Sequence, residues 1–180
     1  MAYNYWGSWS AWNTYEIKQE KLKQAKQFLA TIKSPTELIE KLKTQLIHDP
    51  DNANGWYLLA RMYANQNSFS DAKKAIKRAY KLNPAELKLA LYYVDILMQM
   101  NNQQFDRKAQ HIVNAILIKN PNQPDALAMQ AIDAFNRKNY ELAEKNWLLL
   151  LKLVPDNSKE ARALKKALVQ IKSLKIMKVS

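Results

Sequence analysis

Bond-making chemistry needs a nucleophile beside a base, a metal cradle or a phosphate-binding loop, and this chain holds little material for any of them. Its histidines are His48 and His111; it has no cysteine, and its two glycines are Gly7 and Gly55. A thiolate metal site, a cysteine nucleophile, a disulfide framework and a glycine-rich phosphate cradle are thereby excluded or left without parts. His48 precedes Asp49 and Pro50, where a cationic imidazole at a helix C-terminus is a simpler role than that of a base. His111 has no evident partner, and Ser34 and Ser158 read as helix-start residues. The expectation is a protein that is not an enzyme and needs neither cofactor nor metal.

The remaining chemistry is recognition. Tyr57, Tyr92, Met98, Met129, Ile132 and Phe135 offer an apolar floor, while Arg61, Lys88, Arg162 and Lys166 can catch a carboxylate or acidic side chains. Asn54 and Asp95 fall among them. For these side chains to share one surface, the elements carrying them must repeat in register, and the prolines supply the ruler. Pro50, Pro84, Pro121 and Pro155 stand 34, 37 and 34 residues apart, a spacing that points to an array of helical hairpins.

Within that frame, Trp56, Leu59, Ala60, Tyr63, Ala72, Ile76 and Ala79 recur as Leu127, Gln130, Ala131, Ala134, Ala143, Trp147 and Leu150 at the same offsets. The middle unit, Ala90, Tyr93, Val94, Leu97, Ala109, Val113 and Ile116, carries a longer turn through Asn101, Asn102, Gln103 and Gln104. Offsets of 3, 4 and 7 set one stripe on a first helix, and Ala72, Ala79 and Ala143 let a second helix approach closely. The pattern resembles the tetratricopeptide repeat. It predicts helices over 53–66, 69–82, 86–100, 105–119, 124–137 and 140–153, broken at Asn83, Asn120 and Val154, each of which precedes a proline. Upstream, Ser34, Pro35 and Glu37 form the start signal of a helix bearing Leu38, Leu42 and Leu46, paired with a long helix over 13–33. Downstream, Ala161, Leu164, Leu168 and Ile171 mark a capping helix.

The expected fold is therefore all-α: a right-handed α-solenoid of three tetratricopeptide repeats with an extra N-terminal helix pair and a C-terminal capping helix. The tetratricopeptide domain covers 16–175, with a half repeat at 35–50, repeats at 53–86, 87–123 and 124–157, the capping helix at 158–175 and a basic tail at 176–180. The first helix of each hairpin lines the concave side, where a peptide is expected to lie.

Charge supports a limited conclusion. The chain carries +12 overall, but segments 85–121 and 122–157 are close to neutral at +1 and −1, whereas 158–180 carries +6. The excess is a solvated helix face or a surface for an anionic partner or membrane, and nucleic acid is not the expected partner. Residues 1–15 hold Tyr3, Tyr5, Trp6, Trp9, Trp12 and Tyr15. Such a segment suits the interface beside a membrane anchor that precedes Met1, and it suits equally burial against the repeats or against a second copy of the chain.

From Ser34 to about Asn157 the likeness is closer than the generic repeat. The half repeat from Leu38 to Pro50, the run from Gly55 through Trp56, Tyr57 and Arg61 to Tyr63, the lengthened middle turn, and Asp133-Ala134-Phe135 followed by Tyr140, Ala143 and Trp147 resemble the periplasmic repeat domain of the bacterial cytochrome c maturation system, the apocytochrome-binding subunit associated with the haem lyase. That resemblance implies a non-catalytic chaperone, anchored to the inner membrane and facing the periplasm, that holds the C-terminal segment of an apocytochrome c while haem lyase subunits attach haem. The alternative left open by the residues alone is a scaffold for another envelope or cytoplasmic assembly, of pilus or secretion type.

Overall fold

The structure, a computed structural model, describes residues 34–179, and the chain divides into two compact units, residues 1–48 and 49–180. In the first unit the described residues form α1 (Pro35–His48). Its start follows from its sequence: Pro35 occupies the first helical position, the Ser34 Oγ accepts the Glu37 N–H at 3.2 Å, and the Glu37 carboxylate pairs with Lys41 at 3.0 Å. Ile39, Leu42 and Leu46 are buried on one stripe. The aromatic segment 1–15 and the helix expected over 13–33 lie outside the described residues.

The second unit is built from three hairpins: α2 (Ala53–Asn65) with α3 (Phe69–Leu82), α4 (Leu87–Met100) with α5 (Arg107–Lys119), and α6 (Pro124–Asn136) with α7 (Tyr140–Leu153). α8 (Lys159–Val179) follows. Side-chain caps start most of these helices, with Asn52, Asp106, Gln123, Asn139 and Ser158 each accepting a backbone N–H three residues on. The residues before the prolines leave the helical region as expected, Asn83 at φ −139°, Asn120 at φ −138° and Val154 at φ −109°, ψ 150°.

Small residues set the hairpin spacing. Ala60, Ala72 and Ala79 in the first hairpin, and Ala131 and Ala143 in the third, are all fully buried, so the two helices of each pair approach with no bulk between them. The Trp56 indole N–H closes the first repeat locally, donating to the Pro50 carbonyl at 2.8 Å. At the other end, Leu168 and Ile171 of α8 join Leu127, Ala131, Trp147 and Leu150 in one apolar cluster. The terminal helix thus covers the inner side of the last hairpin, the capping role its apolar stripe predicts.

Two boundaries differ from the sequence expectation by more than one residue. α5 begins at Arg107 rather than 105, because Phe105 is drawn into the core at 3% exposure and Asp106 becomes the cap. α8 continues through Val179, so residues 176–179 of the expected tail are helical. Among the described residues no helix is long and apolar enough to cross a membrane.

Candidate functional site

Seven of the twelve candidate recognition residues sit on the first helices of repeats one and two, and six of these form one group: Asn54, Tyr57 and Arg61 on α2 and Lys88, Tyr92 and Asp95 on α4. Asn54 and Lys88, like Arg61 and Asp95, are 34 residues apart and hence occupy equivalent repeat positions. The structure brings the six together. The rings of Tyr57 and Tyr92 meet edge to face with centroids 5.2 Å apart, the arrangement that aligns the positive edge of one ring with the negative face of the other. The Lys88 ammonium lies 4.9 Å from the Tyr57 ring centre and the Arg61 guanidinium 5.8 Å from it, so one phenol serves two cations. Lys88 also donates to the Asn54 side-chain oxygen at 3.4 Å and pairs with Glu86 at 3.0 Å.

The electrostatics of this cluster are unbalanced in a useful way. Burial raises the Asp95 carboxyl above its ordinary value, opposed by a side-chain hydrogen bond with Gln99. Burial likewise raises the Tyr92 phenol, helped by the Asp95 charge and opposed by Arg61; Tyr92 therefore stays a neutral donor. Neither Arg61 nor Asp95 has an ion-pair partner among the described residues. A half-buried acid and an exposed guanidinium, each without a counter-ion, flank a pair of half-buried aromatic rings.

The other six candidates separate. Met98 is 2% exposed and belongs to the core with Val94 and Leu97; its expected place on an open surface is corrected, since the packing around α4 covers it. Phe135 packs inward as well, 5.5 Å from Trp147 and 5.8 Å from Tyr140 by ring centroid, against the apolar cluster of the third hairpin. Met129 is half-buried and Ile132 exposed on α6, while Arg162 and Lys166 are exposed on α8.

Sequence reasoning missed a second polar feature. The buried carboxylate of Asp133, near the end of α6, accepts the Phe105 N–H at 2.6 Å and the Arg137 Nε–H at 2.8 Å, and a second Arg137 nitrogen donates to the Phe105 carbonyl. Asn136 donates to the Gln103 carbonyl at 3.1 Å, and Gln104 donates to the Asn136 carbonyl at 3.3 Å. The lengthened middle turn is thereby latched to the third repeat. The signal available in the sequence was an acid on an otherwise apolar helix stretch with an arginine four residues on.

With this geometry in view, the comparison with known proteins is specific. The family model described as "Cytochrome c-type biogenesis protein H TPR domain" matches residues 8–161. The chain belongs to this family. Over 129 residues this tetratricopeptide domain is 26% identical to the cytochrome c-type biogenesis protein CcmH of Escherichia coli K12, covering 72% of this chain and 37% of that protein. Over 137 residues it is 25% identical to CycH of Pseudomonas aeruginosa, covering 76% of this chain and 34% of that one. The chain thus spans little more than a third of the length of these curated relatives. Among solved structures, a tetratricopeptide repeat protein from Parabacteroides merdae superposes with a TM-score of 0.68 at 18% identity, over 86% of this chain and 60% of that one, which fixes the fold as a tetratricopeptide solenoid.

Proposed function

We propose that this domain is a non-catalytic, periplasmic adaptor of cytochrome c maturation that holds the C-terminal segment of an apocytochrome c while haem lyase subunits attach haem. Membership of the biogenesis-protein-H family supports the pathway. The observation that carries the peptide-holding role is the Tyr57–Tyr92 pair flanked by Arg61 and Asp95. The two rings take apolar side chains of the client, Arg61 and Lys88 take a carboxylate, and Asp95 takes a basic side chain. A cation brought to Asp95 stabilises its ionised form and recovers part of what burial costs that group.

Calorimetric titration with a peptide spanning the C-terminal segment of an apocytochrome c tests this reading. Saturable binding in the micromolar range is expected, weakened about tenfold or more by Tyr57→Ala, Tyr92→Ala and Arg61→Ala while the helical circular-dichroism signal is unchanged. Absence of saturable binding, or unchanged affinity in all three folded variants, would overturn it.

A further inference from the structure

The solvent side of α8 carries a feature that the peptide site does not use. Arg162, Lys165, Lys166, Val169, Lys172, Ser173 and Ile176 are all exposed, and their spacing of three and four residues places them on a single stripe about 21 Å long. Four of the seven are cations and none is an acid. Glu160, the acid of this helix, falls nine residues before Val169, half a turn away. Lys175 is outside the stripe and is occupied by Glu144 of α7 at 2.5 Å. The opposite side of α8, through Ala161, Leu168 and Ile171, is buried.

A solvated lysine face needs no apolar members, yet Val169 is 65% exposed and Ile176 69% exposed in the middle and at the end of this one. We propose that the α8 stripe is a docking surface for an anionic lipid bilayer. Its cations meet phosphate headgroups, and Val169 and Ile176 enter the boundary beneath them, where apolar surface leaves water. A nucleic acid would use the cations but gain nothing from two aliphatic side chains, and the stripe has no aromatic ring on which a base could stack. An attachment here would hold the end of the repeat array against the membrane surface and leave the Tyr57 cluster on α2 and α4 available to a client.

The test is co-sedimentation of the full chain with vesicles of phosphatidylcholine alone and with about 30 mol% phosphatidylglycerol, at low and high salt. Binding that requires phosphatidylglycerol and is lost near 0.5 M salt, where the Debye length has fallen to about 4 Å, is expected. The variant Lys165→Glu/Lys166→Glu/Lys172→Glu should lose about tenfold or more, whereas Lys77→Glu/Lys81→Glu/Lys119→Glu, with the same change in net charge on other exposed positions, should stay within about threefold. Val169→Asn should weaken binding about threefold with the salt dependence kept. The proposal is overturned if both triple variants behave alike, because attraction would then follow net charge or the N-terminal aromatic segment, which all variants share. It is also overturned if a short oligonucleotide binds more tightly than the anionic vesicles and Val169→Asn has no effect.

Discussion

The first helices of the repeats share one periodicity, but the off-stripe side chains of α2 and α4 and those of α6 do opposite things. On α2 and α4, Tyr57 and Tyr92 meet edge to face with cations beside them and an uncompensated acid close by. On α6, Phe135 turns to Trp147 and Tyr140 within its own hairpin, and Asp133 two residues earlier is consumed by the latch to the middle turn. An offset from the packing stripe determines which way a side chain leaves the helix, but what it meets there depends on the neighbouring turn. On α6 the longer turn sent across by the preceding repeat meets Asp133 and Arg137 and makes those two positions structural.

That contrast is broken most sharply at Asp133. Asp133→Ala leaves the buried Phe105 N–H without an acceptor and frees Arg137 from its carboxylate, so unfolding stability should fall by about 3 kcal/mol. Thermal and urea melts check the loss, and peptide affinity in the folded fraction should be unaltered. Phe135→Ala comes next. A half-buried ring lost from beside Trp147 should cost about 2 kcal/mol of stability and leave client affinity unchanged, the reverse of Tyr57→Ala. If Phe135→Ala weakened binding at full stability, the third repeat would share the client site and the division drawn between it and the first two repeats would fail.

A smaller effect is expected at the turns between paired helices. Asn67 and Lys138 occupy the same repeat position in the first and third hairpins, both left-handed, at φ 58° and 61°. Asparagine tolerates that region and lysine does so poorly. Lys138→Gly should therefore raise stability by about 0.5–1 kcal/mol, whereas Asn67→Gly should be nearly neutral. Melts of the two variants side by side check the difference.

These cases also show what the sequence made legible. Proline spacing and the Trp56, Leu59, Ala60 and Tyr63 pattern locate every described hairpin, because helix periodicity and proline stereochemistry are local. Arg61 and Asp95 were legible for the same reason, one repeat apart on equivalent helices, with Tyr57 one turn before Arg61. The latch was not. Asp133 reaches Phe105 across 28 residues, and only the folded turn, with Asn102 and Gln103 at positive φ, reveals that a carboxylate is wanted there. Met98 was misplaced by the same limit: its spacing fits the open face, but the fold covers it.

The finest probe of the comparison is the pH dependence of Asp95. Burial raises its carboxyl in the folded state above the ordinary value of 3.8, so the ionised side chain costs the fold stability at neutral pH. That cost disappears as pH falls through the raised value, because the folded state then takes up its proton before the unfolded chain does. Asp95→Asn removes a group that is charged at pH 7 and should raise the melting temperature there, with the gain shrinking as pH approaches the ordinary carboxylate range near 4. At Asp133, whose carboxylate is held by the Phe105 N–H and Arg137, the neutral amide has no such gain to offer and should lower stability at pH 7. Opposite signs for the same substitution on α4 and α6 would distinguish an acid held ready for a partner from one already committed to the fold; a loss at both positions would mean that Asp95, too, is spent on structure.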